Sequence, residues 1–462
     1  MTTLVPLRVS NPSNGNILET ITCDTAENIE FKVQRTTKKK KTLPPAKRIA
    51  VLSNLLMKMQ SNRAQMANLI ALEGGKPLKD AIVEAERAAF SVQLAIAFLL
   101  TNCSQTHPIN TATSSQHHSI SSEHFPIGPV IAVSAFNHPL NLVTHQVISA
   151  FAAGCPCIIK PAADTPLSCI QLVKLFHEAG ASPEWVDYVI TNDNSLAEKL
   201  VTDPRFAFFS FIGSAKVGWY LRSKLPPGTR CALEHGGVAP AFVDDSANID
   251  TSVETLVKGA FYHAGQVCVS TQRIYIHQSR FEEFSEKFAD IAETLIVGDA
   301  TSLDVDVGPL IRPGEVDRVE NWVEEAVSSG ASILAGGKRM GDRYFLPTVL
   351  VNAPPEAKVN SQEVFGPVCS LLSYEHLEEP IAHINQENFA FHSAIFSNNH
   401  KNIETLYHQL NTGCLMVNEH TAFRHDAMTF SGLGGSGLGK GGIPASIEHM
   451  QVEKLKIIAG QQ

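Results

Sequence analysis

From residue 45 to 72, Ile49, Leu52, Leu55, Leu56 and Met59 keep helical spacing until Gly74-Gly75 interrupts it, which predicts one helix. A second helical stretch follows Pro77 and runs to about Leu100. Residues 104–124 are rich in Ser, Thr, His and Asn and carry no helical stripe, which predicts exposed strands or an excursion from the main body. A different rhythm begins at Val130. Short apolar runs at Val130–Val133, Cys157–Ile159, Val186–Ile190 and Phe206–Phe211 alternate with helical stretches at 167–179, at 194–201 and from about Ser214. That alternation predicts a parallel sheet covered on both faces, whose ligands sit at the carboxyl ends of the strands. The pattern restarts after Glu234, with strands near 238–243 and 273–277 and helices near 250–262 and 280–295, so a second α/β unit is expected. No fixed-period repeat points to a solenoid.

A chain of 462 residues is too long for one compact core, so two or more domains are expected. Apolar residues make up 44% and charged residues 18%, the balance of a folded globular protein. The net charge of −9 favours no nucleic-acid surface. One basic run, Lys38 to Lys41, reads as a localisation or polyanion patch, or as a solvated strand end or loop before the helix that Pro44-Pro45 introduces. Charge runs are usually solvated, and the second reading is taken. The nine cysteines are scattered, the first residues lack an apolar signal core, and no apolar stretch reads as a membrane span. A reducing, cytoplasmic setting with free thiols is expected. Cys155-Pro-Cys157 reads as part of a buried strand, and no Cys/His cluster has zinc spacing, so no metal is expected.

Four segments carry candidate chemistry. In Gly265-Gln266-Val267-Cys268 the cysteine is either a small core hydrophobe or a nucleophile; the glycine gives close backbone access, and Gln266 argues against a plain core strand. In Glu234-His235-Gly236-Gly237 the glutamate is either a solvated turn residue or a general base held in a tight loop. Asn137 follows the strand at 130–134 and is either a turn signal or an amide that donates to an oxyanion. Lys160 ends another strand, within reach of ribose hydroxyls or a phosphate, and Gly213-Ser214 opens a helix whose N-terminus suits a pyrophosphate.

Together, and in this order, these segments resemble the aldehyde dehydrogenase superfamily: an oxyanion asparagine, a cofactor lysine, a glycine-serine turn, a base glutamate, then a cysteine in a GQxC context. Glu363-Val364-Phe365-Gly366-Pro367 is similar to the family's segment around the nicotinamide ribose. The likeness runs from about residue 45 to the C-terminus. It implies an α/β fold with a Rossmann-type parallel-sheet cofactor domain (1–105 and 126–235), an α/β catalytic domain (236–435) and a small β oligomerisation element (106–125 and 446–462). It also implies a homodimer or homotetramer that uses NAD or NADP. Phe136, Lys160, Ala163, Gly213, Ser214, Glu363 and Phe365 would contact the cofactor. By the family's chemistry Cys268 attacks an aldehyde, Asn137 and the Cys268 N–H hold the oxyanion, hydride leaves a thioester, and Glu234 activates the water that releases the acid.

The sequence also departs from the family. Phe136 stands where Trp is usual, and His138 where an aromatic is usual. Ala163 occupies the place of a glutamate that repels a 2′-phosphate, which leaves NAD against NADP open. Gly434 replaces a lysine of the glycine-rich closing loop, and the Gly432-x-Gly434-x-x-Gly437 match is rejected as a dinucleotide fingerprint because no strand–turn–helix surrounds it. Arg424 either binds an anionic group on a small aldehyde or pairs with Asp426 in a structural loop. His263 reads as structural. Two other functions stay open: a catalytically silent binding or structural relative, which intact Cys268, Glu234 and Asn137 disfavour, and a coenzyme A-acylating enzyme, which could dispense with Glu234.

Overall fold

The computed structural model describes residues 6–38, 42–101, 105–107 and 118–459. Two sheets form its centre. The first is six-stranded, in the order Gly437–Leu438, Arg230–Glu234, Phe208–Ile212, Val130–Val133, Cys157–Lys160, Val186–Tyr188. Its last five strands are parallel, and Gly437–Leu438 joins the edge antiparallel to Leu233 and Glu234. The chain enters in the middle, winds outward through Cys157–Lys160 and Val186–Tyr188, then crosses back to Phe208–Ile212. The switch point therefore lies between Val130–Val133 and Phe208–Ile212, and a crevice opens there at the carboxyl ends of the strands. The second sheet is seven-stranded, in the order Ser332–Ala335, Thr348–Val351, Val368–Tyr374, Thr271–His277, Ala239–Val243, His392–Phe396, Cys414–Val417. All but Ser332–Ala335 run parallel.

Helices cover both sheets, which explains why Cys157–Ile159 and Ala239–Val243 are buried along their whole length. Two packed helices, Arg63–Gly74 and Leu78–Thr101, lie against Asn141–Ala153 and Leu167–Glu178 in the core of the first sheet. Local signals set helix starts: the Thr25 side chain accepts from Asn28 N, and Asn248 caps Ile249–Phe261 by accepting from Thr251 N. No helix among the described residues is long and apolar enough to cross a membrane.

Several boundaries differ from the sequence reading. The single helix expected at 45–72 is two, Pro45–Ser61 and Arg63–Gly74. Asn62 breaks it by turning its amide back onto Lys58 O at 2.8 Å, competing with the helix's own ladder. The strand expected at Val186–Ile190 stops at Tyr188. Lys38 closes the helix Ala26–Thr37 rather than a strand, and residues 39–41 lie outside the described residues. The polar stretch contains Gln105–His107 and His118–Pro126, and residues 108–117 lie outside the described residues. Both strands join a three-stranded sheet with Gln451–Ala459.

Candidate active site

The meeting of Cys268 and Glu234 follows from strand register. Glu234 ends a strand of the first sheet, and the chain passes through Gly236-Gly237 straight into Ala239–Val243 of the second. That strand pairs in parallel with Thr271–His277, with Ala239 opposite Thr271. Glu234 lies just upstream of Ala239 and Cys268 just upstream of Thr271, so the register brings both to one seam. Cys268 Sγ stands 4.0 Å from Glu234 Oε1. Both line a cavity of about 540 Å³ between the sheets.

The nucleophile loop is held by its backbone. His263 and Ala264 adopt φ of 50° and 55°, in the left-handed region, and Gly265 follows at 68°. A side chain at Gly265 would run into the Gly366 carbonyl, so only glycine lets this turn pass the 363–367 segment. Gln266 anchors the loop on its far side: its Oε1 accepts from Ile311 N at 2.9 Å, and its Nε2 donates to Pro309 O at 3.2 Å. Val267 and Val269 pack with Phe391 and Phe430, which leaves the intervening Cys268 facing the cavity.

The charges are matched for proton movement. Burial pushes the Glu234 carboxyl up to about 7, against the pull of Arg424. Burial, then the Glu234 and Glu363 carboxylates, push the Cys268 thiol well up; Arg424 and the residue's own backbone N–H pull it down. The environment thus favours the neutral thiol over the thiolate. The thiol faces a carboxylate able to take its proton. Asn137, nearly buried, directs its Nδ2 to Gln266 O at 2.9 Å, beside the nucleophile loop.

Of the other residues singled out, Phe136, Gly213, Ser214, Glu363, Phe365 and Arg424 line the same cavity; Lys160 and Ala163 do not, although their neighbour Ala162 does. Phe136 and Phe365 meet edge to face at 5.7 Å between ring centroids. The cradle suits a dinucleotide. Glu363 Oε1 is buried without a hydrogen-bond partner, and its carboxylate lies so close over Gly236 that any side chain there would collide with it. Lys160 makes no ion pair among the described residues, and its Nζ reaches only Pro161 O at 3.4 Å. Asp164 faces Arg312 at 3.8 Å instead.

The far wall was only partly legible. Arg424 does not pair with Asp426. It donates to Met428 O at 3.0 Å and lies 4.1 Å over the Phe430 ring, and burial pushes it down to about 10. Asp426 instead takes Arg87 at 3.0 and 2.9 Å, His145 at 2.8 Å and Asn141 at 3.2 Å. Arg424 is thereby left with its charge toward the cavity. Arg87, Asn141 and His145 were missed; the spacing of Asn141 and His145 on one helix turn was the available signal. His263 is fully buried.

A model of the aldehyde dehydrogenase family matches residues 3–455. The chain is 34% identical to a 3-sulfolactaldehyde dehydrogenase from Priestia aryabhattai over 91% of this chain and 87% of that protein. It is 32% identical to a lactaldehyde dehydrogenase from Methanocaldococcus jannaschii over 98% and 97% of the two chains. Among solved structures, aldehyde dehydrogenase 21 from Physcomitrella patens, in complex with the reaction product succinate, superposes with a TM-score of 0.95 at 28% identity, covering 99% of this chain and 96% of that one. A glyceraldehyde-3-phosphate dehydrogenase from M. jannaschii complexed with NADP gives a TM-score of 0.94 at 31% identity, covering 99% and 100%. Motif order, sheet topology and these matches agree: the chain belongs to the aldehyde dehydrogenase family and is an NAD(P)-dependent oxidoreductase.

Proposed function

We propose that this protein oxidises a small anionic aldehyde to its carboxylic acid through a thioester on Cys268. The observation that carries the reading is Cys268 Sγ and Glu234 Oε1 at 4.0 Å in one cavity that also receives the Arg424 guanidinium. Cys268 attacks the aldehyde carbon while Glu234 takes the thiol proton. Asn137 Nδ2 and the Cys268 N–H stabilise the oxyanion. Gly213-Ser214, Glu363 and Phe365 would hold the dinucleotide, which would supply the hydride acceptor. Once it has passed the thiol proton to solvent, Glu234 deprotonates the water that cleaves the thioester, so coenzyme A is not needed as acceptor. Arg424 holds the substrate's anionic end. Several relatives bear names of aldehydes with an anionic or hydroxylated tail, in keeping with this wall.

Turnover followed by absorbance of the reduced nicotinamide, with anionic and neutral aldehydes, tests the reading. Arg424→Leu should lower kcat/KM for the anionic aldehyde by about 10²-fold and leave the neutral one within about threefold. Equal losses on both would remove Arg424 as the anion anchor. NAD and NADP belong in separate arms, because Ala163, and Lys160 with no ion pair among the described residues, leave the ribose side open to a 2′-phosphate.

The assembly follows from the three-stranded sheet. Leu455, Ile457 and Ile458 on Gln451–Ala459 are 58%, 61% and 54% exposed, on a strand expected to pair with a second copy. On this reading residues 106–125 with 446–462 are the oligomerisation element; the cofactor-binding part spans 1–105 and 126–235, and the catalytic part 236–435. Sedimentation should show a dimer or tetramer, and Leu455→Lys with Ile457→Lys should release monomer. A wild-type monomer at micromolar concentration would refute the assignment.

A further inference from the structure

Two helices begin immediately after the two loops that build the site, and neither caps itself. Asn141–Ala153 follows the Asn137 loop and starts at Leu140; Leu167–Glu178 follows the Lys160–Ala163 loop and starts at Pro166. Neither start has a side-chain cap of its own. Their exposed amides are bonded instead by carboxylates from elsewhere. Glu84 Oε1 accepts from Leu140 N at 3.0 Å and Asn141 N at 3.1 Å. Glu73 accepts from Leu167 N and Ser168 N, both at 2.7 Å.

Both acids come from the packed helices Arg63–Gly74 and Leu78–Thr101, and both are buried. Each negative charge sits on the positive end of the helix it bonds. Glu84 is also paired with Lys76, both side chains being 0% exposed. The Lys76 ammonium lies 5.8 Å over the Tyr262 ring, at the start of the strained turn that leads to Cys268. The two loops are tied to each other as well, Thr165 Oγ1 donating to Phe136 O at 3.3 Å. One turn past Glu84, Arg87 fixes Asp426 and with it the Arg424 loop.

We propose that Glu84 and Glu73 are positioning residues: one helical pair sets the oxyanion loop through Glu84 and the cofactor loop through Glu73. Buried charges are costly unless fully bonded, and here the backbone bonds of both acids end at the helix starts that directly follow the site loops. A displacement of well under 1 Å in the Asn137 amide is enough to cost rate. The inference rests on Asn137 being the oxyanion donor.

The test compares Glu84→Gln, Glu73→Gln and Asn137→Ala in the full chain, by steady-state kinetics, by cofactor affinity from quenching of protein fluorescence with NADPH or NADH, and by melting temperature. Glu84→Gln should lower kcat about tenfold or more with cofactor Kd within about twofold. Glu73→Gln should raise cofactor Kd about tenfold. If Glu84→Gln does not fold, Lys76→Met with Glu84→Gln removes both buried charges and carries the same expectation. The proposal falls if both glutamate variants keep kcat and Kd while Asn137→Ala loses rate. It also falls if both parameters decline in parallel with melting temperature, the mark of a purely structural role. An unchanged kcat in Asn137→Ala overturns the oxyanion assignment, and with it the role given to Glu84.

Discussion

Cys268→Ala should abolish aldehyde oxidation, with kcat down by about 10⁴-fold or more, while cofactor affinity and melting temperature should stay near wild type. Cys268 borders the cavity and only part of its side chain packs against Val267, Val269, Phe391 and Phe430, so shortening it to Ala costs little packing. Without the thiol there is no covalent intermediate from which hydride can leave, and Glu234 has no bound acyl group to hydrolyse. Progress curves of reduced nicotinamide with the purified variant check this. Turnover above about one-hundredth of wild type would show that another group carries the chemistry.

Glu234→Gln divides the reaction at the thioester. With Cys268 intact, one equivalent of reduced cofactor per site should still form as a burst, itself slowed because the thiol has lost its proton acceptor, followed by a steady state about 10² to 10³-fold slower, because the water has lost its base. The pH dependence follows from the same group. Glu234 is pushed up to about 7 and acts as the base only when deprotonated, so hydrolysis should rise as pH increases through 7 and level above it. That limb should vanish in Glu234→Gln. Glu363, pushed up to about 8, faces the same thiol, so any limb that persists in Glu234→Gln belongs there. Rapid-quench and pH-rate measurements decide; a variant with neither burst nor pH change would place the base elsewhere.

How far the sequence led depended on whether the needed residues are contiguous. Cys268, Glu234, Asn137 and the Gly213-Ser214 turn sit in short segments at strand ends, where local composition betrays a sharp turn, and the structure brings them together. The Asp426 hub was only partly legible: Asn141 and His145 share one helix turn, but Arg87 and Asp426 come from elements far along the chain that meet it only when the helices pack. Sequence proximity suggested that Asp426 would neutralise Arg424, but the stronger bidentate partner arrives from the helix Leu78–Thr101. Glu73 and Glu84 read as ordinary helical acids until the amides they bond are known. The break at Asn62 was hidden because the apolar stripe of Leu52, Leu55 and Met59 runs up to it without a glycine or proline.

The short strand Gly437–Leu438 also matters while the chain is being made. The base is made at residue 234, yet the edge of its strand stays open until Gly437 pairs with it, and Arg87 waits for Asp426. A nascent chain can form the first five parallel strands while the ribosome is still translating the second sheet, but their catalytic margin stays unlatched. A chain stalled short of the glycine-rich loop therefore leaves that strand edge exposed to chaperones and proteases, with the cavity wall at Phe430 and Gly432 still unmade.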